Sequence, residues 1–233
     1  MNNLQEKFEK YIEWYEHFFP KFEKLVELYL DWNSKINTSS IKDEDEIVIK
    51  HFLDSLLWNE CINFEWKSVL DVWSWGWFPT IPLALTNPWA KFKSLDSVWK
   101  KLKVIENIWE ELWLKNISGL HWRAEDLWQD KKHREKYDMV VTRAFAPWTV
   151  MLELTGCFIK EWWYLLAYQT ESIFEDIRQN EDLLDEMWLE IMDTFEFELP
   201  EEMWDRILVL LQKTWKTPKK FPRKVWIPRK QPL

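Results

Sequence analysis

The residues with the clearest chemical potential form one segment, Val69-Leu70-Asp71-Val72-Trp73-Ser74-Trp75-Gly76-Trp77-Phe78-Pro79. An apolar strand ends on an acid and turns through a short loop into a helix. With glycine at 73, 75 and 77 the loop would read D-V-G-S-G-G-G-F-P, and bare peptide could lie against a nucleoside cofactor facing the free N–H groups of the next helix. With indoles there, the loop closes its own pocket. A second acid, Asp96 in Ser94-Leu95-Asp96-Ser97, ends another apolar run about 20 residues further on, where a carboxylate accepts both ribose hydroxyls of an adenosine moiety. Asp71, Asp96 and the loop at Trp73 and Trp75 are candidate cofactor contacts, and Asp96 taken alone fits S-adenosylmethionine and NAD equally. Arg123-Ala124-Glu125-Asp126 follows a third apolar run, at a place from which backbone and side chain can meet an adenine ring. Arg143 follows a fourth, where open α/β sheets bind their ligands, and is the candidate catalytic residue.

Other chemistries find little support. The four histidines, His17, His51, His121 and His133, share no ligand spacing, so no metal site is expected. Cys61 and Cys157 match no metal or redox pattern and are expected to be free thiols. His51, near Asp54, is expected to pack between helices rather than act in the crevice.

These residues need a scaffold, and the periodicity supplies one. Apolar positions at helical spacing over the first 60 residues predict three helices, broken near Pro20 and around Asn33 to Asp43. From Ser68 short apolar runs alternate with amphipathic stretches, the pattern of βαβ units and a mainly parallel sheet. Strands are expected at 68–72, 91–96, 117–121, 139–142 and 164–168, with helices over 101–114 and 173–187. Runs at 191–198 and 206–211 read as a closing antiparallel hairpin, a feature of methyltransferases rather than dehydrogenases. The expected organisation is a helical extension (1–60), a doubly wound, mainly parallel seven-stranded α/β domain (61–212) and a basic tail (213–233). Pro218, Pro222, Pro228 and Pro232 predict that the tail is extended rather than packed.

The net charge of −9 argues against a nucleic-acid partner until its distribution is considered. Eight basic residues and no acidic one lie between Lys213 and Leu233, so the first 212 residues are more acidic still. Lys219, Lys220, Arg223 and Lys224 in this tail, with Arg123, are the candidate phosphate contacts and the expected source of salt-sensitive affinity. The start of the chain lacks the apolar stretch of a signal peptide and no run of 18 apolar residues occurs, so a soluble cytoplasmic protein, with no membrane association, is expected.

One feature of the composition is anomalous. The chain has 20 tryptophans and 3 glycines, where an ordinary composition gives roughly 16 glycines. Trp75, Trp77, Trp113, Trp162, Trp163 and Trp226 occupy places where a turn, cap or tight loop calls for glycine. The codon UGA is glycine in some bacterial lineages and tryptophan in others, so many of these residues are read as glycine codons translated in the wrong code.

Taken together, these segments resemble the bacterial 16S ribosomal RNA guanine-N7 methyltransferase family, also called the glucose-inhibited division protein B or RsmG family. The likeness runs from about Leu25 to the end and includes Trp32-Asn33-Ser34-Lys35-Ile36-Asn37, Thr38-Ser39-Ser40, His51-Phe52-Leu53-Asp54-Ser55, the Asp71 loop, Leu95-Asp96-Ser97, Arg123-Ala124-Glu125, Arg143-Ala144-Phe145 and the tail Pro218-Lys219-Lys220-Phe221-Pro222-Arg223-Lys224. It implies a class I, Rossmann-like methyltransferase using S-adenosylmethionine and acting on small-subunit ribosomal RNA or the ribosomal particle; a monomer is expected. The backbone at Trp73 and the side chain of Phe78 would touch the cofactor, Ala124 and Glu125 would frame its adenosine part, and Arg143 would lie beside the methyl-transfer site. The chain departs from the family at Trp73, Trp75, Trp77, Thr80 and Thr38. The other readings are a methyltransferase for a different substrate, a dinucleotide oxidoreductase and, with true indoles in the loop, a catalytically silent RNA-binding protein.

Overall fold

The computed structural model describes residues 3–12, 17–36, 39–72 and 77–233. Helices α1 (Asn3–Tyr11) and α2 (Phe19–Ile36) come first, the second taking Pro20 in its opening turn, where the missing N–H costs nothing. A continuous helical stretch follows: α3 (Glu44–Glu46), a π-helix over Ile47–Leu53, α4 (Asp54–Leu56) and α5 (Trp58–Cys61). Asp43 caps it, its carboxylate accepting from the Asp45 and Glu46 amides at 3.0 and 3.2 Å.

The remaining elements alternate: β1 (Ser68–Val72), α6 (Thr80–Thr86), β2 (Lys91–Asp96), α7 (Trp99–Glu111), β3 (Ile117–His121), α8 (Ala124–Leu127), β4 (Tyr137–Arg143), α9 (Trp148–Thr155), a 3-10 turn over Gly156–Phe158, β5 (Ile159–Gln169), α10 (Ile173–Gln179), α11 (Glu181–Met187), β6 (Leu189–Leu199), β7 (Trp204–Lys213) and α12 (Ile227–Lys230). The seven-stranded sheet has the order β3-β2-β1-β4-β5-β7-β6. Strands β1 to β5 are parallel, and β7 runs antiparallel to both β5 and β6. The three strands expected at 68–72, 91–96 and 117–121 appear with those bounds; β4 to β7 are longer than their apolar cores, and the helix expected over 173–187 breaks in two at Asn180. In β1 every residue from Val69 to Val72 is buried, as a central strand covered on both faces requires.

The sheet divides two cores. One packs α2, α6, α7 and the π-helix against its first face through Phe22, Leu25, Tyr29, Phe52, Ile81 and Ile105; the other packs α9, α11 and the C-terminal segment against the second through Leu152, Phe158, Met187 and Phe221. Each large apolar side chain buried this way contributes about 1.5–3 kcal/mol, so the N-terminal helices belong to the main core rather than to an accessory unit.

The C-terminal segment is packed, contrary to expectation. Thr217, Phe221, Pro222 and Pro228 are buried, and Arg134 donates to the carbonyls of Thr217 (2.9 Å) and Phe221 (3.1 Å). Arg223 forms a forked pair with the fully buried Glu153, Nη2 to Oε2 at 2.7 Å and Nε to Oε1 at 3.0 Å. The prolines had suggested an extended chain; carbonyl-capping arginines and one buried carboxylate fasten it to α9 instead.

The backbone separates two kinds of tryptophan. Among the described residues nine non-glycines have positive φ, and five are tryptophans: Trp66 (62°), Trp113 (58°), Trp162 (69°), Trp188 (56°) and Trp226 (70°). After α7, Trp113 donates to the Glu110 carbonyl and Leu114 to that of Trp109, the double bond of a Schellman cap whose left-handed position is glycine's. Trp163, also expected at a glycine place, lies in β5 and is absent from this group; Trp77 is buried edge-on against Tyr29 at 5.6 Å. Trp75 lies outside the described residues.

Replacing Arg223 by leucine leaves the Glu153 carboxylate buried and unpaired, and is expected to lower unfolding free energy by about 3–5 kcal/mol. Replacing both Glu153 and Arg223 by leucine should recover most of that loss. Urea denaturation of the two variants checks this, and an unshifted midpoint for the single variant would count against the anchor.

Candidate cofactor and substrate crevice

The chain order reverses direction at β1, with β2 on one side and β4 on the other. Open α/β sheets bind ligands at such a switch point, beyond the carboxyl ends of the strands. Asp71, Asp96 and Arg143 all lie at those ends, in β1, β2 and β4.

Asp71 is fully buried; one of its oxygens accepts from the Thr80 hydroxyl and the other has no partner among the described residues. Burial pushes its carboxyl well above the usual aspartate range, Asp96 adds to the rise, and Arg143 opposes it. Thr80, a departure from the family pattern, thus supports the acid that ends β1. At the end of β2, Asp96 is 3% exposed. Its Oδ1 accepts from the Val98 amide at 2.7 Å, while Oδ2 is buried with no partner among the described residues. Burial raises this carboxyl too, with Lys101 and His121 opposing.

Ala124 and Glu125 are buried in the first turn of α8, and Arg123 precedes them as the N-cap residue. The Arg123 guanidinium lies over the Trp226 ring at 4.3 Å, so the C-terminal segment reaches the rim of the crevice. Phe78 is buried and stacks on His51, ring centroids 4.3 Å apart and planes 8° from parallel. His51 Nε2 lies 3.1 Å from the Tyr29 hydroxyl, which donates to the Ile41 carbonyl. Burial and the nearby Arg143 hold His51 down at about 3, so this imidazole is neutral at working pH. The expectation of a packing histidine fits these contacts. Trp73 and Trp75 lie outside the described residues.

Arg143 is held by groups from distant parts of the chain. Its Nη2 meets Asp54 Oδ2 at 2.7 Å and the Lys50 carbonyl at 2.5 Å, and Nη1 meets Ser55 Oγ at 3.3 Å. Asp54 is 0% exposed and also takes a fork from Arg206, Nε to Oδ1 at 2.7 Å and Nη2 to Oδ2 at 2.8 Å. Tyr168 donates to the Ser55 carbonyl at 2.5 Å from beneath the cluster. Immediately after Arg143, Ala144 takes a left-handed conformation (φ 50°) and turns the chain back. Sequence reasoning assigned no role to Asp54, Arg206 or Tyr168. A signal for the first existed: Asp54 is the only charge among the apolar residues from Phe52 to Trp58, and such a charge inside a buried helical run requires a partner.

The other candidate basic residues fall into two groups. Arg223 pairs with Glu153 and Lys220 with Glu186, whereas Lys219 and Lys224 are exposed on the C-terminal segment.

The model of the family described as "rRNA small subunit methyltransferase G" matches residues 19–194. The chain belongs to this family. A family relative, the ribosomal RNA small subunit methyltransferase G of Lysinibacillus sphaericus, is 33% identical over 96% of this chain and 94% of its own length. That of a Thermoanaerobacter species is 37% identical over 91% and 89%. Among solved structures, an S-adenosylmethionine-dependent methyltransferase from Aquifex aeolicus matches 73% of this chain and 94% of its own with a TM-score of 0.55 at 14% identity. A 16S rRNA adenine-N1 methyltransferase from Catenulisporales acidiphilia matches 71% and 94% with a TM-score of 0.53 at 12% identity. At such identities the two structures speak to the fold alone, the class I methyltransferase sheet.

Asp96 generates a test. Asp96→Ala removes the unpaired acceptor and should weaken an adenosine-bearing ligand about 10- to 100-fold, the worth of a charged hydrogen bond. The carboxylate form exists above its raised pKa and is lost as pH falls through it. Affinity in the unaltered protein is therefore full at neutral pH and declines on acidification before an ordinary aspartate would protonate, while Asp96→Ala should lack that decline. Calorimetric titration across pH checks both.

Proposed function

We propose that this protein transfers the methyl group of S-adenosylmethionine to N7 of a guanine in small-subunit ribosomal RNA. The observation that carries the reading is the pair of groups at the ends of β2 and β4, the two strands flanking β1: a buried Asp96 carboxylate with one oxygen fixed and one open among the described residues, and a largely buried Arg143 guanidinium near Asp71. The cofactor fits what is present, since the open Asp96 oxygen stands where a ribose diol needs an acceptor. Ala124 and Glu125 would border the adenine, Phe78 and the backbone after Asp71 the sulfonium end.

When bound, S-adenosylmethionine supplies an electrophilic methyl on a sulfonium whose departure leaves a neutral thioether. Guanine N7 is an sp² lone pair and carries no proton, so the chain need not provide a general base. The neutral His51 accordingly packs against Phe78 and Tyr29. The chain's task is alignment of lone pair, methyl carbon and sulfur, which contributes up to about 7–11 kcal/mol by making the step effectively unimolecular. Arg143 holds the RNA backbone or the guanine O6. Arg123, Lys219 and Lys224 meet phosphates around the rim, with Lys220 and Arg223 exchanging or sharing their present partners. The substrate is ribosomal RNA or a ribosomal particle, and the protein works in the cytoplasm as a monomer. Among the described residues no helix is long and apolar enough to cross a membrane.

The antiparallel β6–β7 edge favours this reading over a dinucleotide oxidoreductase. Labelled S-adenosylmethionine and small subunits lacking the modification test it directly. The expected outcome is label in 16S RNA as 7-methylguanine, with calorimetric binding of S-adenosylmethionine and none of NAD. Binding of RNA without transfer would favour the catalytically silent protein, and transfer to another acceptor a different substrate.

A further inference from the structure

We infer that Arg206 is a positioning residue for Arg143, acting through the shared carboxylate of Asp54. The inference rests on the reading of Arg143 as the group beside the transferred methyl and adds what keeps it there. Arg206 occupies both oxygens of Asp54 in a fork, and its Nη1 donates to the Gln169 carbonyl at 3.1 Å. Arg143 receives only a share of Oδ2, completed by the Lys50 carbonyl and the Ser55 hydroxyl. The π-helix contributes here: its wide turn ends at Asp54, and Lys50, within it, points its carbonyl at Arg143, consistent with the tendency of such turns to occur at functional sites. A planar guanidinium prefers a carboxylate to itself, bidentately. Without Arg206, Asp54 is free to take Arg143 in that fork and draw it back from the crevice. With Arg206 present the two guanidiniums share one negative charge, so the cluster keeps one positive charge in excess to offer to an RNA phosphate or a guanine oxygen.

The test compares Arg206→Met, Arg206→Lys, Arg143→Met and the Arg206→Met/Arg143→Met double variant. The readouts are kcat and KM for unmodified small subunits, cofactor affinity and melting temperature. Arg206→Met should lose about 100-fold in kcat, the scale of a displaced positioning group, with cofactor affinity unchanged. Arg206→Lys should recover part of it, and Arg206→Met should cost nothing further in kcat once Arg143 is methionine, although the melting temperature of that double variant falls because Asp54 is left buried without a guanidinium. Additive losses of kcat in the double variant, or kcat and cofactor affinity of Arg206→Met falling together with melting temperature, overturn the inference and leave a structural role. Full activity in Arg143→Met alone instead overturns the underlying reading of Arg143, and this inference with it.

An independent observation carries a second inference: the structure assigns glycine to positions 66, 113, 162, 188 and 226, and the gene's codon there is one its host reads as glycine. All five residues have left-handed backbone, and all five indoles are exposed, from 48% to 80%. A Cβ is penalised in that conformation, whereas glycine is not. The local geometry is glycine's in detail. Trp113 holds the Schellman position after α7, Trp188 the left-handed cap of α11, and Trp162 lies where the β4–β5 register slips, as the left-handed residue of a bulge does.

Peptide mass spectrometry of the protein purified from its own host should find glycine at these five positions; indole at all five overturns the inference. Trp→Gly substitution at each should also raise the melting temperature by about 2–4 °C per site. Trp122→Gly, an exposed indole on ordinary backbone, should not. A fall in melting temperature at the five sites would likewise overturn it.

Discussion

A carboxylate buried between two guanidiniums ties the molecule together at its working edge. Asp54 comes from the N-terminal helical stretch, Arg143 from the end of β4 and Arg206 from the antiparallel edge strand β7. Loss of the carboxylate would leave two guanidiniums uncompensated out of water, at about 3–5 kcal/mol, whereas loss of either arginine leaves a matched pair in a different geometry. The cluster therefore fixes how three distant parts of the chain meet. The helices before β1 are for the same reason part of the site: they bring Asp54, Lys50 and Ser55 to the arginine and Tyr29 and His51 to Phe78.

The two acids at the ends of β1 and β2 play the opposite part. Each is buried with one oxygen satisfied and the other open among the described residues, an arrangement that costs stability until a partner completes it. Folds keep such groups where a ligand completes them. The crevice thus combines a charge cluster with one guanidinium in excess over its carboxylate and two acids that each carry an acceptor open among the described residues.

Much of this was legible from the chain. Asp71, Asp96, Ala124, Glu125 and Arg143 could be placed because parallel strands deliver their last residues to one edge, and apolar runs mark those strands plainly. Asp54 and Arg206 were not assigned a role, because pairing across 152 residues leaves no local spacing to read. The tail was misjudged for a related reason: four prolines speak for extended backbone but say nothing about the buried Glu153 and the Arg134 guanidinium that hold it. Tryptophans at 113, 162 and 226 could be recognised as misplaced from turn logic alone. Those at 66 and 188 emerged only from backbone angles, and Trp163 lies on backbone that does not require glycine.

The most direct measurement of the central claim is single-turnover methyl transfer to unmodified small subunits by Asp54→Asn, which keeps the shape of the side chain and removes the charge that fixes Arg143. The account predicts a rate lower by about 100-fold with S-adenosylmethionine affinity preserved. A variant that folds, binds cofactor and transfers methyl at the unaltered rate would contradict it.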